Sequence, residues 1–201
     1  MLISRGILQR LLLLSSLFLS VLNCSEREED ICRSEFISFY LLYNKIDGSK
    51  LPYKEKRRVL LRFKEPKCKK LRKLFSNCLL YLNTVIDREG LIEEWKREDL
   101  KIYEKLNKIY KKKGIEYKIL KDRLIEGLRY NKISKRYGIK EREAEEIVSR
   151  GIKDLGIDFI EKIRINKKEI LSKIEEKTRL IEKILPSCER EILRFRDEVY
   201  R

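Results

Sequence analysis

Residues 158–185 read DFIEKIRINKKEILSKIEEKTRLIEKIL, and their spacing decides the fold class. Ile160, Ile163, Lys167, Ile170, Ile174, Lys177, Ile181 and Ile184 recur in alternating steps of three and four, which marks one face of a helix. At a rise of about 1.5 Å per residue the run predicts a helix about 42 Å long with the seam of a coiled coil. Lysine stands at two of the seam positions, 167 and 177. The helix is therefore expected to pack along its own chain in preference to self-association. Pro186 is expected to end it, because proline lacks the amide proton that a helix interior uses. Cys188, Ile192, Phe195 and Val199 then predict a last short amphipathic helix.

The same period runs back through the chain. Cys32, Phe36, Phe39, Tyr43 and Ile46 form one stripe, stopped by Asp47-Gly48-Ser49. Lys54–Lys64 predicts a second short helix. Pro66 is expected to open a third, with Cys68, Leu71, Phe75, Cys78 and Leu82 as its seam. Asp87-Arg88-Glu89-Gly90 reads as a turn. Ile92, Trp95, Ile102, Leu106 and Ile109 stripe the next helix, with Trp95 as a core anchor. That helix should end at Lys111-Lys112-Lys113-Gly114, where cations and glycine suit a C-terminus. Ile115–Leu128 predicts another, interrupted near Gly127. No stretch alternates with the period of a strand. The expectation is an all-α fold: several amphipathic helices in an irregular bundle, with one long C-terminal helix at about 158–185.

At the other end of the chain, MLISRGILQRLLLLSSLFLSVLNCS places Arg5 and Arg10 ahead of the apolar run Leu11–Leu22. A cationic start and an apolar core of this length have the layout of an export signal; a bilayer-spanning helix needs about 20 apolar residues. Val21-Leu22-Asn23-Cys24 also resembles the signal of bacterial lipoproteins, although Asn23 stands where a smaller residue is usual. That resemblance implies diacylation of Cys24 and a membrane tether. The organisation expected is a signal or membrane anchor over residues 1–23, an acidic spacer over 24–30 and a basic helical domain over 31–201. The expected location is outside the cytosol, membrane-anchored or secreted; a cytoplasmic protein is the alternative.

Charged residues make up 41% of the chain and hydrophobic ones 42%, so a core can form beneath a densely charged surface. The net charge of +16 falls to about +14 without Arg5 and Arg10, a surplus that attracts polyanions in a salt-dependent way. Leaving Cys24 aside, Cys32, Cys68, Cys78 and Cys188 are an even set suited to disulfides in an exported protein. If Cys68 and Cys78 share a helix they stand about 15 Å apart, too far for a bridge. Two connectivities remain, 32–68 with 78–188 or 32–78 with 68–188, and four buried thiols are the other possibility.

Two stretches are candidates for binding. Lys54–Lys73 holds eleven Lys or Arg against Glu55 and Glu65. Lys56, Arg57, Arg58, Arg62, Lys69, Lys70, Arg72 and Lys73 are its candidate contacts for anionic lipid or another polyanion. Further on, Ile133-Ser134, Tyr137-Gly138-Ile139, Ala144 and Ile147 resemble a helix-turn-helix of the sigma-factor and response-regulator kind, over about 122–156. That resemblance implies a second helix lying in the major groove, with Lys140, Arg142 and Arg150 as DNA contacts. Against it, Glu141, Glu143, Glu145 and Glu146 share that helix and oppose phosphate. The chain has no histidine, no Cys-x-x-Cys pair and no phosphate-cradling glycine loop. No catalytic residue, metal or cofactor is assigned, and the expectation is a binding or structural module, not an enzyme. The helix-turn-helix regulator is the alternative.

Overall fold

The structure, a computed structural model, describes residues 28–111 and 114–199. The leader and Cys24 lie outside the described residues. Seven α-helices and no strand occur among those described. They are α1 over residues 28–47, α2 Tyr53–Leu60, α3 Arg72–Tyr110, α4 Gly114–Leu124, α5 Tyr130–Tyr137, α6 Glu141–Leu155 and α7 Ile157–Val199. A short 3-10 turn, Lys69–Leu71, leads into α3. The fold is all-α with one long C-terminal helix, as the spacing predicts.

Several expectations change. Residues 28–30 of the expected acidic spacer are helical and belong to α1. Asp87–Gly90 is no turn: α3 runs straight through it. Gly90 costs about 1 kcal/mol against alanine there, but Val85 and Ile86 are buried just before it and Asp87 is ion-paired. Pro186 does not end α7, which continues to Val199. Proline in a helix interior costs about 3 kcal/mol, opposed by the burial of Ile181, Cys188, Ile192 and Phe195 on both sides of it in one core. Finally, the single domain expected over 31–201 divides into two compact units, one up to Ile86 and again from Arg179, the other Asp87–Thr178.

In the first unit the stripe of α1 (Cys32, Phe36, Phe39, Tyr43, Ile46) and that of α3 (Leu71, Phe75, Cys78, Leu82) are all buried in one core. Aromatic rings fill its centre. Phe39 lies 4.6 Å from Phe75 and 5.6 Å from Phe63, and Phe36 lies 5.3 Å from Phe195 of α7. Such pairs contribute about 0.5–1.5 kcal/mol each beyond their buried area. Tyr81 of α3 donates to the Asp47 carboxylate of α1 at 2.6 Å. Burial first, then that carboxylate, raises its phenol far above the usual value.

Both disulfides lie in this unit. Cys32 pairs with Cys68 and Cys78 with Cys188, at Cα separations of 5.1 and 4.9 Å. This is one of the two connectivities left open by spacing. Cys68 itself is extended, not helical, and caps the 3-10 turn. The Glu35 carboxylate of α1 accepts the backbone N–H groups of Lys67 and Cys68 at 3.0 and 2.9 Å. The chain there is thus satisfied without a helical turn, which brings Cys68 to Cys32.

In the second unit, Ile102 and Leu106 of α3, Tyr117, Ile119 and Leu120 of α4, Ile133 of α5, Ala144, Ile147, Val148 and Leu155 of α6, and Ile160 and Ile163 of α7 share a core. The two seam lysines of α7 explain themselves here. Lys167 reaches Asp99 of α3 at 2.6 Å, and Lys177 reaches Asp87 at 3.2 Å. Trp95 is not the core anchor expected; it is half-buried, with Lys167 Nζ 3.7 Å above its ring centre.

All four bridged cysteines are buried, so their Cys→Ala pairs differ mainly in the loop each bridge closes. The separations are 36 residues for Cys32–Cys68 and 110 for Cys78–Cys188. Chain entropy assigns these about 4 and 5 kcal/mol. Denaturant unfolding should therefore find Cys78→Ala/Cys188→Ala about 1 kcal/mol less stable than Cys32→Ala/Cys68→Ala, and the reverse order would refute the loop argument.

Candidate polyanion interface and helix-turn-helix-like segment

The basic stretch does not form one continuous cationic face. Along α2, Lys56 and Leu60 stand one turn apart on the inward side, and Lys56 is only 3% exposed. Lys56 is therefore removed from the candidate contacts, because its position in the turn faces the core. Arg57, Arg58 and Arg62 stay exposed at the end of α2, and Lys69, Lys70, Arg72 and Lys73 at the start of α3. Acidic partners temper the second group. Arg72 lies 3.6 Å from Glu65, and Lys73 lies 3.3 Å from Glu191 of α7. Lys70 lines a cleft of about 270 Å³ with Glu29, Asp30, Arg33 and Glu198, a setting of mixed sign.

A second cationic surface is the end of α2. Arg57 and Arg58 sit one turn before Leu61, and Arg62 and Lys64 follow it, all exposed. Arg57, Leu60, Leu61, Phe63, Leu79 and Asn83 line one groove of about 260 Å³. Lys64 and Lys67 are also exposed, and so is Leu61, which charge density alone does not single out. A signal for Leu61 exists in the sequence: adjacent leucines on a helix lie about 100° apart, so a narrow buried stripe accepts only one of them. Which of the two goes outward depends on where α3 lies.

In the second unit α4, α5 and α6 pack on one another. Gly138 ends α5 in the left-handed conformation, φ +66°, and the Ile139 amide donates back to the Ser134 carbonyl at 3.1 Å. Residues with a side chain rarely adopt that backbone. The inward positions of the motif are buried: Ile133, Ala144 and Ile147. Asp122 of α4, also buried, accepts from Arg136 at 2.7 Å and from Tyr137 at 2.8 Å. The Asp122 hydrogen bond keeps the Arg136 guanidinium above its ordinary value, and burial raises the Tyr137 phenol. Asp122 thus ties α4 to α5, a role that spacing gives no hint of.

The candidate DNA contacts are exposed but not unopposed. Lys140 precedes α6, Arg142 pairs with Glu146 at 3.3 Å, and Arg150 pairs with Glu116 of α4 at 3.5 Å. Glu141, Glu143, Glu145 and Glu146 are exposed on the same helix. Arg150 serves to join α4 and α6 as much as to present charge. Among the described residues no group of three or more His, Cys, Asp or Glu is placed to hold a metal ion, and no helix is long and apolar enough to cross a membrane.

Close approach of α6 to α4 requires glycine at 151, where an added Cβ would overlap the fully buried Leu120 side chain. Gly151→Val is expected to lower unfolding stability by about 1–3 kcal/mol through overpacking. Glu145→Ala on the exposed side of α6 should stay within about 0.5 kcal/mol; equal effects would refute the packing assignment. No protein-family model, curated protein or solved structure matches this chain.

Proposed function

We propose that this chain is an exported module, held at a membrane through its N-terminus, that binds an anionic surface with the cations of α2 and the start of α3 and carries out no reaction of its own. The observation that carries this reading is the pairing of Cys32, Cys68, Cys78 and Cys188 into two bridges. Structural disulfides persist in oxidising compartments and are rare in the cytosol. The bridges use four of the five cysteines, which leaves Cys24, at the end of the leader, for acylation. The surplus of exposed Lys and Arg fits a partner recognised by negative charge.

A second reading has its own support. α4, α5 and α6 pack on one another, and the left-handed Gly138 opens the short turn from α5 to α6; this suits a helix-turn-helix, so a DNA-binding regulator, cytoplasmic or anchored, is the alternative. The glutamates of α6 count against it.

Intact-mass analysis and non-reducing peptide mapping of the native protein test the first reading. The expected result is a chain beginning at an acylated Cys24, with linked peptides for 32–68 and 78–188. A chain beginning at Met1 with four free thiols would overturn it. Gel shifts of the full chain on duplex DNA at two salt concentrations test the second. Sequence-selective binding lost in Arg142→Ala would establish it, whereas salt-sensitive binding without sequence preference reflects charge alone.

A further inference from the structure

Leu61 is 80% exposed, more than any other large apolar side chain among the described residues, while its neighbour Leu60 is 8% exposed in the core. It is not on a loose loop. The amides of Leu61, Arg62 and Phe63 donate to the carbonyls of Arg57, Val59 and Leu60 at 3.0, 3.1 and 3.0 Å, so the turn that presents Leu61 is fixed. Phe63 anchors it from beneath, 5.6 Å from both Phe39 and Phe75. The apolar surface continues along the groove to Leu79. Arg58, Arg62 and Lys64 flank Leu61 and are exposed.

We propose that this turn is a membrane-inserting tip: Leu61 enters the boundary between headgroups and acyl chains of an anionic bilayer while the surrounding arginines and lysine hold lipid phosphates. The inference rests on the membrane-tethered reading above and names the lipid chemistry of its surface. Charge complementarity selects the occupant. A nucleic acid would use the cations and leave Leu61 in water, and a second copy of this chain would set one cationic surface against another. An anionic bilayer satisfies both parts at once, apolar depth beneath a negative surface. A tether at the N-terminus and a tip at α2 are two attachments of one chain, so the weaker is strengthened by the high local concentration of lipid. Each basic residue near an anionic surface strengthens binding about fivefold.

The test uses the full chain, delivered from detergent to phosphatidylcholine vesicles with or without phosphatidylglycerol, carrying Leu61→Trp beside the native Trp95. The parent chain supplies the Trp95 background, and circular dichroism checks the fold. The expected result is co-sedimentation with both vesicles. Emission of the introduced indole should shift to the blue, and brominated acyl chains should quench it, only when phosphatidylglycerol is present. Arg58→Glu/Arg62→Glu should remove most of that quenching while leaving co-sedimentation intact. A chain that co-sediments with anionic vesicles but keeps a water-exposed indole overturns the tip and leaves the tether standing. Association with anionic vesicles alone, with the indole quenched, supports the tip and counts against the tether. A blue shift produced without lipid, by heparin or by raising the protein concentration, overturns the tip in favour of a soluble polyanion or a second copy.

Discussion

The bond between Cys78 and Cys188 is the constraint on which the first unit depends. That unit is assembled from two pieces of chain, residues up to Ile86 and those from Arg179 onward, with the whole of the second unit between them in sequence. The later piece is a single stretch of α7, too short to hold a core by itself. It contributes Ile181, Cys188, Ile192 and Phe195, and the covalent link keeps it there against the entropy of a 110-residue loop. The second bridge acts locally, joining the start of α1 to the segment before α3 with Glu35 capping the joint. With both in place, the aromatic core of Phe36, Phe39, Phe75 and Phe195 can be held by few residues, and α2 can spend part of its length on an outward surface.

The second unit solves a comparable problem without covalent help. An uninterrupted isoleucine seam can slide by a turn and still pack, so α7 needs something that fixes its register. Lys167 and Lys177 do this by meeting Asp99 and Asp87 of α3. A displacement of one turn would leave partly buried ions without partners, which is far more costly than lost surface pairing. Trp95 beneath Lys167 adds a cation–π contact at the same level. Around that pinned pair, Asp122, Gly138 and Gly151 shape the packing of α4, α5 and α6, respectively by hydrogen bonding, by backbone conformation and by leaving room for Leu120.

Much of the candidate surface is an outcome of that packing. The sequence marks Lys54–Lys73 as basic, but local charge density does not say which cations point outward. Lys56 is buried beside Leu60, Arg72 and Lys73 meet carboxylates, and Arg58, Arg62 and Lys64 stay exposed beside Leu61. The outward leucine is the least expected of these, since an apolar residue beside a buried one is ordinarily counted into the same core.

Helical class, the inward stripe of α1, the inward residues Leu71, Phe75, Cys78, Leu82, Ile102 and Leu106 at α3, the buried isoleucines of α7, the glycine turn at 138 and the excess of positive charge were legible in the order of residues, because each follows from periodicity or composition along a few turns; Trp95 and the exposed Ile109 depart from the stripe expected of them. The tertiary structure alone decided that α3 passes through Gly90 and α7 through Pro186, that one expected domain is two compact units, and that Cys32 pairs with Cys68. Those outcomes depend on contacts between residues far apart in the chain, where burial and cross-linking outweigh a local breaker worth about 1–3 kcal/mol.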